Sequence, residues 1–205
     1  WWNNSWANRI KITFDNSAQA TNATSVPVMV VLDSSRVDYN DILANGADIR
    51  FVDADNATPL SYEIERWNAS GTSTVWVKVP QIDASSNTDY IYMYYTNPGA
   101  TDAQAPSSVW SNGYSAVYHF AQTSGSYLDS VSGYVSNSSD AQVLTSRTST
   151  LLGYAPTFGG SNTNFVTIPS SDTFDFTNFT TEAYIRSAGA GATVSSGGQP
   201  TIYPI

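Results

Sequence analysis

Two glutamates are the residues best suited to chemistry in this sequence. Glu63 and Glu65 stand two apart in a stretch that alternates like a β-strand, so their side chains share one face, with Cα atoms about 6.6 Å apart. Pairs of carboxylates at such separations carry out glycoside hydrolysis. Asn68, however, stands where a Glu-x-Asp-x-x-Glu motif needs its last acid. We therefore interpret the pair as a solvated strand face beside Arg66.

The single histidine, His119, is the other candidate for catalysis. A Ser-His-Asp triad would have to use it, but the sequence holds no Gly-x-Ser-x-Gly motif for the nucleophile. Its neighbours Tyr118 and Phe120 are typical of a core, which predicts a structural histidine. One histidine without any cysteine also argues against a transition-metal site. We therefore expect no enzyme activity and no cofactor.

Residues suited to binding are more numerous. Asp129 and Asp140 flank a segment rich in Ser, Gly and Asn, and they are the candidate ligands for calcium. Aromatic rings that are exposed stack on sugars; the candidates here are Trp67, Trp110, Tyr92 and Tyr94, although core packing explains them equally well. Six Asn-x-Ser/Thr sequons are candidate glycosylation sites: Asn3, Asn22, Asn56, Asn68, Asn137 and Asn178. Of these, Asn56 and Asn68 lie next to predicted turns.

The composition excludes two classes of partner and indicates a location. The net charge is −9, and the two lysines, Lys11 and Lys78, form no basic cluster for a nucleic acid. No apolar run approaches the roughly 18 residues of a membrane span. Charged residues make up 12% of the chain, against about 25% in typical soluble domains. This neutral, polar composition and a first residue, Trp1, that fits removal of a signal peptide predict an extracellular or cell-surface protein.

Alternation of apolar and polar residues with a period of two dominates the first 96 residues and predicts β-strands. The predicted strands cover residues 9–15, 26–33, 47–53, 59–66, 74–79 and 90–96. The sequence at 37–43 predicts a helical turn. Turn residues separate the strands. This pattern predicts an all-β fold, an antiparallel β-sandwich of the jelly-roll kind.

A linker-like stretch rich in Pro, Gly, Ala and Ser, at residues 97–108, divides the chain. We place a domain boundary there, with one β module at residues 1–105 and a second, packed β module at residues 106–205. Strands of the second module are predicted at residues 115–121, 164–168 and 179–186. A Gly-, Ala- and Ser-rich stretch at 187–198 then precedes a tail at 199–205.

The first 120 residues resemble a family known as domain of unknown function 2341. The matching segments are WWNNSWANRIKI at 1–12, GADIRFVDADNATPLSYEIERWN at 46–68, TVWVKVP at 74–80, YIYMYYTN at 90–97 and AVYHF at 116–120. The resemblance implies a β-rich module of secreted or cell-surface proteins. In that family a concanavalin A-like, or laminin G-like, sandwich often follows, and residues 150–186 resemble the start of one.

Too few residues follow His119 for a complete concanavalin A-like sandwich, so the second module lacks strands. Three interpretations stay open: the chain is a fragment of a longer protein, the half-sandwich packs onto the first module, or a neighbouring subunit supplies the missing strands. Exposed sheet edges invite such pairing. The candidate donated strand is Thr201, Ile202 and Tyr203, with residues 1–6 as an alternative, and Pro204 limits the ladder that the tail can make.

These observations predict a non-enzymatic structural protein outside the cell, a subunit of a filament or surface assembly joined by β-strand complementation. Its predicted partners are copies of itself. The alternative is a lectin-like module of a larger adhesion protein that binds glycans, which the aromatic residues and the resemblance to a lectin sandwich favour. A solution measurement of chain number separates the first function from the second.

Overall fold

The computed structural model describes residues 1–122, 125–137, 147–150, 153–156, 158 and 165–185. Within them the protein is an all-β sandwich of antiparallel sheets, as the alternation predicts. The strands are, in chain order, β1 (Asn8–Thr13), β2 (Ala23–Leu32), β3 (Arg50–Asp53), β4 (Pro59–Leu60), β5 (Tyr62–Arg66), β6 (Ser73–Ile82), β7 (Tyr90–Tyr95), β8 (Arg147–Thr150) and β9 (Gly153–Pro156). Helical elements are α1 (Pro106–Val109) and 3₁₀ turns at Tyr39–Asp41, Ala44–Gly46 and Asp172–Phe174.

Two sheets form the sandwich. The first has the order β1–β7–β3–β4 and the second the order β2–β6–β5, and their pairings are antiparallel. In the first sheet Lys11 lies opposite Tyr92, and in the second Glu63 lies opposite Trp76. Strands β8 and β9 form a separate hairpin. Since residues directly opposite in a pair point to the same side, the register decides which side chains meet on each face.

The core lies between the two sheets. Val75 and Val77 of β6 point into it, and Ile91 and Met93 of β7 meet them from the first sheet; all four are 0% exposed. Burial of apolar surface contributes about 25 cal/mol per Å² and holds the sheets together. The residues between these positions, such as Trp76, fall on the outer faces, where the chemistry of the molecule is found.

Three predicted strands of the second half do not form in the described residues. Residues 115–121 are irregular apart from one bridge, between Tyr118 and Asp129. The described parts of the other two, residues 165–168 and 179–185, contain no strand. A strand needs a neighbour along its length for its backbone groups. Described segments make isolated backbone bonds here, such as those from Ser130 to Val117 and from Asn137 to Thr167, but no continuous ladder, so these strand predictions were wrong. The helical turn predicted at 37–43 is confirmed as the 3₁₀ turn Tyr39–Asp41, which Asp38 caps.

Residues 106–122 and 125–136 pack on the outer face of the second sheet. The N–H of Ala105 donates to the carbonyl of Tyr62 at the free edge of β5, at 2.9 Å. The short helix α1 then buries Val109, and Trp110 follows it at 5% exposure. The domain boundary predicted after residue 105 stays a prediction, and a packed contact crosses it. The stretch at 187–198 and the tail at 199–205 lie outside the described residues.

Candidate functional site

The outer face of the second sheet carries the one cluster of buried charges in the described residues. Strand β5 directs Tyr62 and Ile64 toward the core, so Glu63 and Glu65 point outward together, as the alternation predicts. Strand β6 places Trp76 directly opposite Glu63. The expectation that this face is solvated was wrong, because residues 106–122 and 125–136 cover it. The side chains of Glu63 and Glu65 are only 11% and 3% exposed.

His119 lies between the two carboxylates. Its Nε2 is 3.1 Å from Oε2 of Glu63, and its Nδ1 is 3.3 Å from Oε2 of Glu65. Two indole N–H groups also donate into the cluster: Trp110 Nε1 to Glu63 Oε2 at 2.6 Å, and Trp76 Nε1 to Glu65 Oε2 at 2.5 Å. Both ring nitrogens therefore face acceptors, an arrangement that suits an imidazole carrying two protons.

The surroundings of His119 favour its charged form. Burial lowers the pKa of His119, but its hydrogen bonds to Glu63 and Glu65 and their charges outweigh burial and raise the pKa to about 9. Burial acts to raise the pKa of Glu63, yet the hydrogen bond and charge of His119, with the donors of Ser130 and Trp110, leave the pKa below its usual value. At neutral pH an imidazolium therefore bridges two carboxylates.

The polar groups of the cluster bind one another, so few of their hydrogen-bonding atoms remain for a substrate. Ser130 Oγ donates to Oε1 of Glu63 at 2.6 Å, so both oxygens of Glu63 are occupied. A glycosidase pair needs the space between its two carboxylates for the sugar, and here the ring of His119 fills it. A histidine that is already protonated is also not a general base at pH 7. The geometry therefore describes a clamp that joins strand β5 to residues 119 and 130.

A cavity of about 360 Å³ borders this cluster. Its wall includes Glu63, Glu65, His119 and Ser130, whose polar groups bind one another. Gln122 also lines it, and its Oε1 has no hydrogen-bond partner in the described part of the chain. With its charged groups already occupied, the cavity presents few groups that would recognise a ligand.

Asp129 is not available to calcium. Its Oδ1 accepts from the N–H groups of Val117 and Val131 at 2.6 and 3.0 Å, and its Oδ2 accepts from that of Ser132 at 2.7 Å. These bonds close a turn and tie it to residue 117. Within the described ranges no group of three or more His, Cys, Asp or Glu side chains could hold a metal ion. The other candidate ligand, Asp140, lies outside the described residues.

Two of the four aromatic candidates for sugar stacking are buried, as the alternative of core packing allows. Trp110 is 5% exposed because it packs on Trp76 and His119, and Tyr94 is 0% exposed beneath Trp1 and Trp2. Trp67 is half-buried, and its ring packs edge-on against Tyr39 at the core margin. Tyr92 is also half-buried and lies on the outer face of the first sheet.

The sequons divide by exposure. Asn3, Asn22, Asn137 and Asn178 are exposed. The two that turn position favours, Asn56 and Asn68, are half-buried instead. Asn56 has both amide groups engaged: Nδ2 donates to the carbonyl of Ala54 at 3.2 Å, and Oδ1 accepts from Arg9 at 2.5 Å. A glycan is therefore better accommodated at the exposed positions, and glycosylation stays a prediction.

An open seam runs along one side of the sandwich. Strand β1 is an edge of the first sheet and β2 an edge of the second, and no described strand pairs with the outer side of either. Between them lies a groove of about 260 Å³, lined by both polar and apolar groups of these residues: Ile12, Thr13, Phe14, Val28, Met29, Val30, Val31 and Arg36. The predicted donor strand, Thr201, Ile202 and Tyr203, lies outside the described residues.

Sequence reasoning did not find the partners of the glutamates. Trp76 stands between Val75 and Val77, so the period of two already places a large apolar ring on the outer face of the sheet. Such a ring indicates a face that something covers. Ser130 carried no comparable signal, since it stands in a long polar stretch.

Residues 45–135 match the model of a family described as a domain of unknown function, DUF2341. The match spans fewer than half of the 205 residues. It confirms part of the resemblance and extends it past residue 120, so Glu63, Glu65, His119 and Ser130 all fall inside the DUF2341 region. No comparison supports the expected concanavalin A-like segment. No curated protein matches the chain, and no solved structure does.

Proposed function

We propose that this protein is a non-enzymatic structural subunit of an extracellular assembly and that neighbouring copies join by β-strand addition at the seam between β1 and β2. The observation that carries the proposal is the edge of β2, which no described strand pairs with and which borders a groove of about 260 Å³. The extracellular location is part of the proposal and rests on the composition.

The physical argument begins with the edge itself. Strand β2 has ten residues and pairs with β6 on one side only within the described ranges. Unpaired backbone groups on such an edge are a template for another strand. A bulge-like left-handed residue, Ser25 at φ +51°, and Pro27 interrupt the first half of the edge. The pairing run that remains, residues 28–32, is long enough for a short added strand.

Apolar side chains beside this edge are incompletely buried, and an added strand would shield them from water. Val28 and Phe14 pack against the core from its margin and are only half-buried. An incoming strand would place every second side chain into the groove and complete their burial. Large apolar side chains are exposed elsewhere too, in the segment 165–185: Phe165, Phe176, Phe179, Tyr184 and Ile185. Exposed apolar surface of this kind marks contacts with other molecules.

The occupant that we propose is the segment Thr201, Ile202 and Tyr203 of a second copy. Thr, Ile and Tyr are favoured in strands, and their alternation directs Ile202 to one face. Pro204 lacks a backbone N–H and ends the ladder after Tyr203. The groove takes apolar side chains, and Ile202 supplies one.

The state of His119 supports a structural role over an enzymatic one. The pKa of His119 is raised to about 9, and both of its nitrogens are engaged by glutamates. Catalysis needs a group whose protonation changes during the reaction. A clamp needs a group whose charge is constant at working pH, and this is what the cluster provides.

The absence of cysteine from the chain allows a clean test of the strand exchange. We would prepare Val28→Cys, whose side chain lies on the core side of β2 beside the groove, and Ile202→Cys as separate proteins of different tagged mass. They would be mixed under oxidising conditions and the products separated without reducing agent. The proposal predicts a mixed disulfide dimer. The matched control is Lys78→Cys, on the outer face of β6, mixed with Ile202→Cys. This mixture should give little mixed disulfide dimer.

Two outcomes contradict the proposal. The first is a wild-type protein that stays monomeric in sedimentation at high concentration and gives no mixed disulfide. The second is a Val28→Cys/Ile202→Cys double variant that closes only within one chain at all concentrations, which would mean that the tail fills its own groove.

A further inference from the structure

The outer face of the first sheet carries cations for which the described residues provide no carboxylate within ion-pair distance. The ion pairs of His119 with Glu63 and Glu65 lie on the other sheet. Arg9 and Lys11 instead lie over tyrosine rings: the guanidinium carbon of Arg9 is 4.0 Å from the centroid of Tyr92, and Lys11 Nζ is 3.8 Å from that of Tyr90. In a chain of net charge −9, two such cations on one strand are unusual.

The register explains why these residues meet. Arg9 and Lys11 of β1 lie opposite Tyr94 and Tyr92 of β7, and all four point away from the core. On the other side of β7, β3 adds Arg50 opposite Tyr94. The outward positions of the three strands contain no acid: Arg9, Lys11, Thr13, Tyr90, Tyr92, Tyr94, Arg50 and Val52. The face is therefore a basic, aromatic surface on an acidic protein.

The cations are held in place but keep free capacity. Arg9 Nη1 donates to Asn56 Oδ1 and to the hydroxyl of Tyr94 at 2.5 and 2.9 Å. A guanidinium has five N–H donors, so others remain for a ligand. Lys11 is exposed and lies over the ring of Tyr90. Because Arg9 is held by its hydrogen bonds and by the ring of Tyr92, little of its conformational entropy is lost when an anion binds.

Trp1 adds an apolar surface at the end of this row. Its ring is 51% exposed and lies 5.0 Å from the guanidinium carbon of Arg9. Its N–H donates to the carbonyls of Asn3 and Trp6, which fixes the ring. A sugar ring packs its C–H face on an exposed indole of this kind. A carboxylate on that sugar would lie within reach of Arg9.

From this juxtaposition we infer that the face formed by Trp1, Arg9, Lys11, Tyr90 and Tyr92 binds an acidic polysaccharide, a chain of sugar rings that carry carboxylates. Arg9 and Lys11 are about 6.8 Å apart along the strand and contact carboxylates, and Arg9 does so with its planar fork. Trp1 contacts a sugar face. The site goes beyond the proposed assembly, since it lies on the outer face of β1 rather than in the seam.

Native-gel affinity electrophoresis of the full chain tests this inference. Polygalacturonate in the gel is the probe, and dextran is the neutral control. We expect polygalacturonate to retard the wild type and dextran to have no effect. Lys11→Gln, an exposed change that the fold tolerates, should weaken binding about tenfold, the equivalent of one charge-assisted hydrogen bond. Arg9→Gln should weaken binding at least as much, and Lys78→Gln, on the second sheet, should leave it unchanged.

Several results would overturn the inference. Equal retardation by dextran would exclude recognition of the carboxylates. Equal retardation by polyglutamate, or stronger binding of single-stranded DNA, would show that charge alone acts and that sugar is not the ligand. If Lys78→Gln lost as much binding as Lys11→Gln, the binding site would not lie on this face. If polygalacturonate did not retard the wild type, the protein would not bind this polysaccharide.

Discussion

The buried charges of His119 and the two glutamates beside it stabilise one another. Removing two carboxylates and an imidazolium from water is costly, and only close pairing and further hydrogen bonds offset that cost. Here Trp76, Trp110 and Ser130 supply those bonds. The cluster is therefore sensitive to the loss of any one member, since the remaining charges would stay buried without a partner.

We expect His119→Gln to lower the free energy of unfolding by about 3 to 5 kcal/mol, because it leaves two buried carboxylates without their cation. Urea unfolding of the variant and the wild type measures the difference. The addition of Glu63→Gln and Glu65→Gln to this variant should recover part of the loss, since the uncompensated charge is then gone. A His119→Gln variant with an unchanged free energy of unfolding would contradict the role of the cation.

The stability of the protein should depend on pH through the same residues. The pKa of His119 is raised from 6.5 to about 9 in the folded state, so its contribution is complete below pH 6.5 and is lost as the pH rises through about 9. The pKa of Glu63 is lowered from 4.5, so its contribution is present above pH 4.5 and is lost on acidification. Stability should therefore be greatest between these limits.

Unfolding free energies between pH 5 and pH 10 check this dependence. The shift of the His119 pKa corresponds to a loss on the order of 3 kcal/mol between pH 6.5 and 9. The difference between wild type and His119→Gln should shrink over that interval. A constant difference would mean that His119 does not titrate in the folded state as described.

At the scale of elements, the turn before β3 shows how local conformation and packing combine. Gly46 has φ +71°, and a Cβ there would lie 2.8 Å from two ring carbons of Trp67 and 3.0 Å from Cδ1 of Ile64. Two residues later, Asp48 accepts from the N–H groups of Thr96 and Asn97 and so ties this turn to the end of β7. The turn thus connects both sheets.

Gly46→Ala should therefore destabilise the protein more than Gly113→Ala does. Gly113 has φ +81° but nothing within 4 Å of an added Cβ, so its change reports backbone strain alone, about 1 kcal/mol. Gly46→Ala adds overpacking against Trp67, which typically costs about 1 to 3 kcal/mol more. Denaturant midpoints of the two variants give the comparison, and equal values would refute the packing argument.

On the scale of the whole molecule, the folded unit covers only part of the described chain. The core residues lie within residues 6–127, and residues 106–122 and 125–136 cover the outer face of the second sheet. The described residues beyond 137 contact this unit through a backbone bond from Asn137 to Thr167 and through Tyr134, whose hydroxyl meets Ser171 and Thr173 and whose ring packs on Phe174. The unit that folds cooperatively should therefore end near residue 137.

A fragment of residues 1–137 should unfold cooperatively, with a stability close to that of the full chain. A fragment of residues 1–105, which ends at the boundary predicted from the linker-like stretch, should be much less stable, because Trp76, Glu63 and Glu65 lose their cover. Thermal unfolding followed by tryptophan fluorescence compares the two. Equal stability would favour the boundary at residue 105.

The all-β class, most strand positions of the first half and the shared face of Glu63 and Glu65 follow from the sequence, because a period of two is a local property of the chain. The strand predictions at 115–121 and in the described residues 165–168 and 179–185 were wrong, since strand formation depends on a partner that no local pattern specifies. That His119, 56 residues from Glu63, enters this face is visible only in the folded molecule. An irregular segment crosses the outer face of the second sheet there, and its path depends on packing against Trp76 and on the charge that it neutralises.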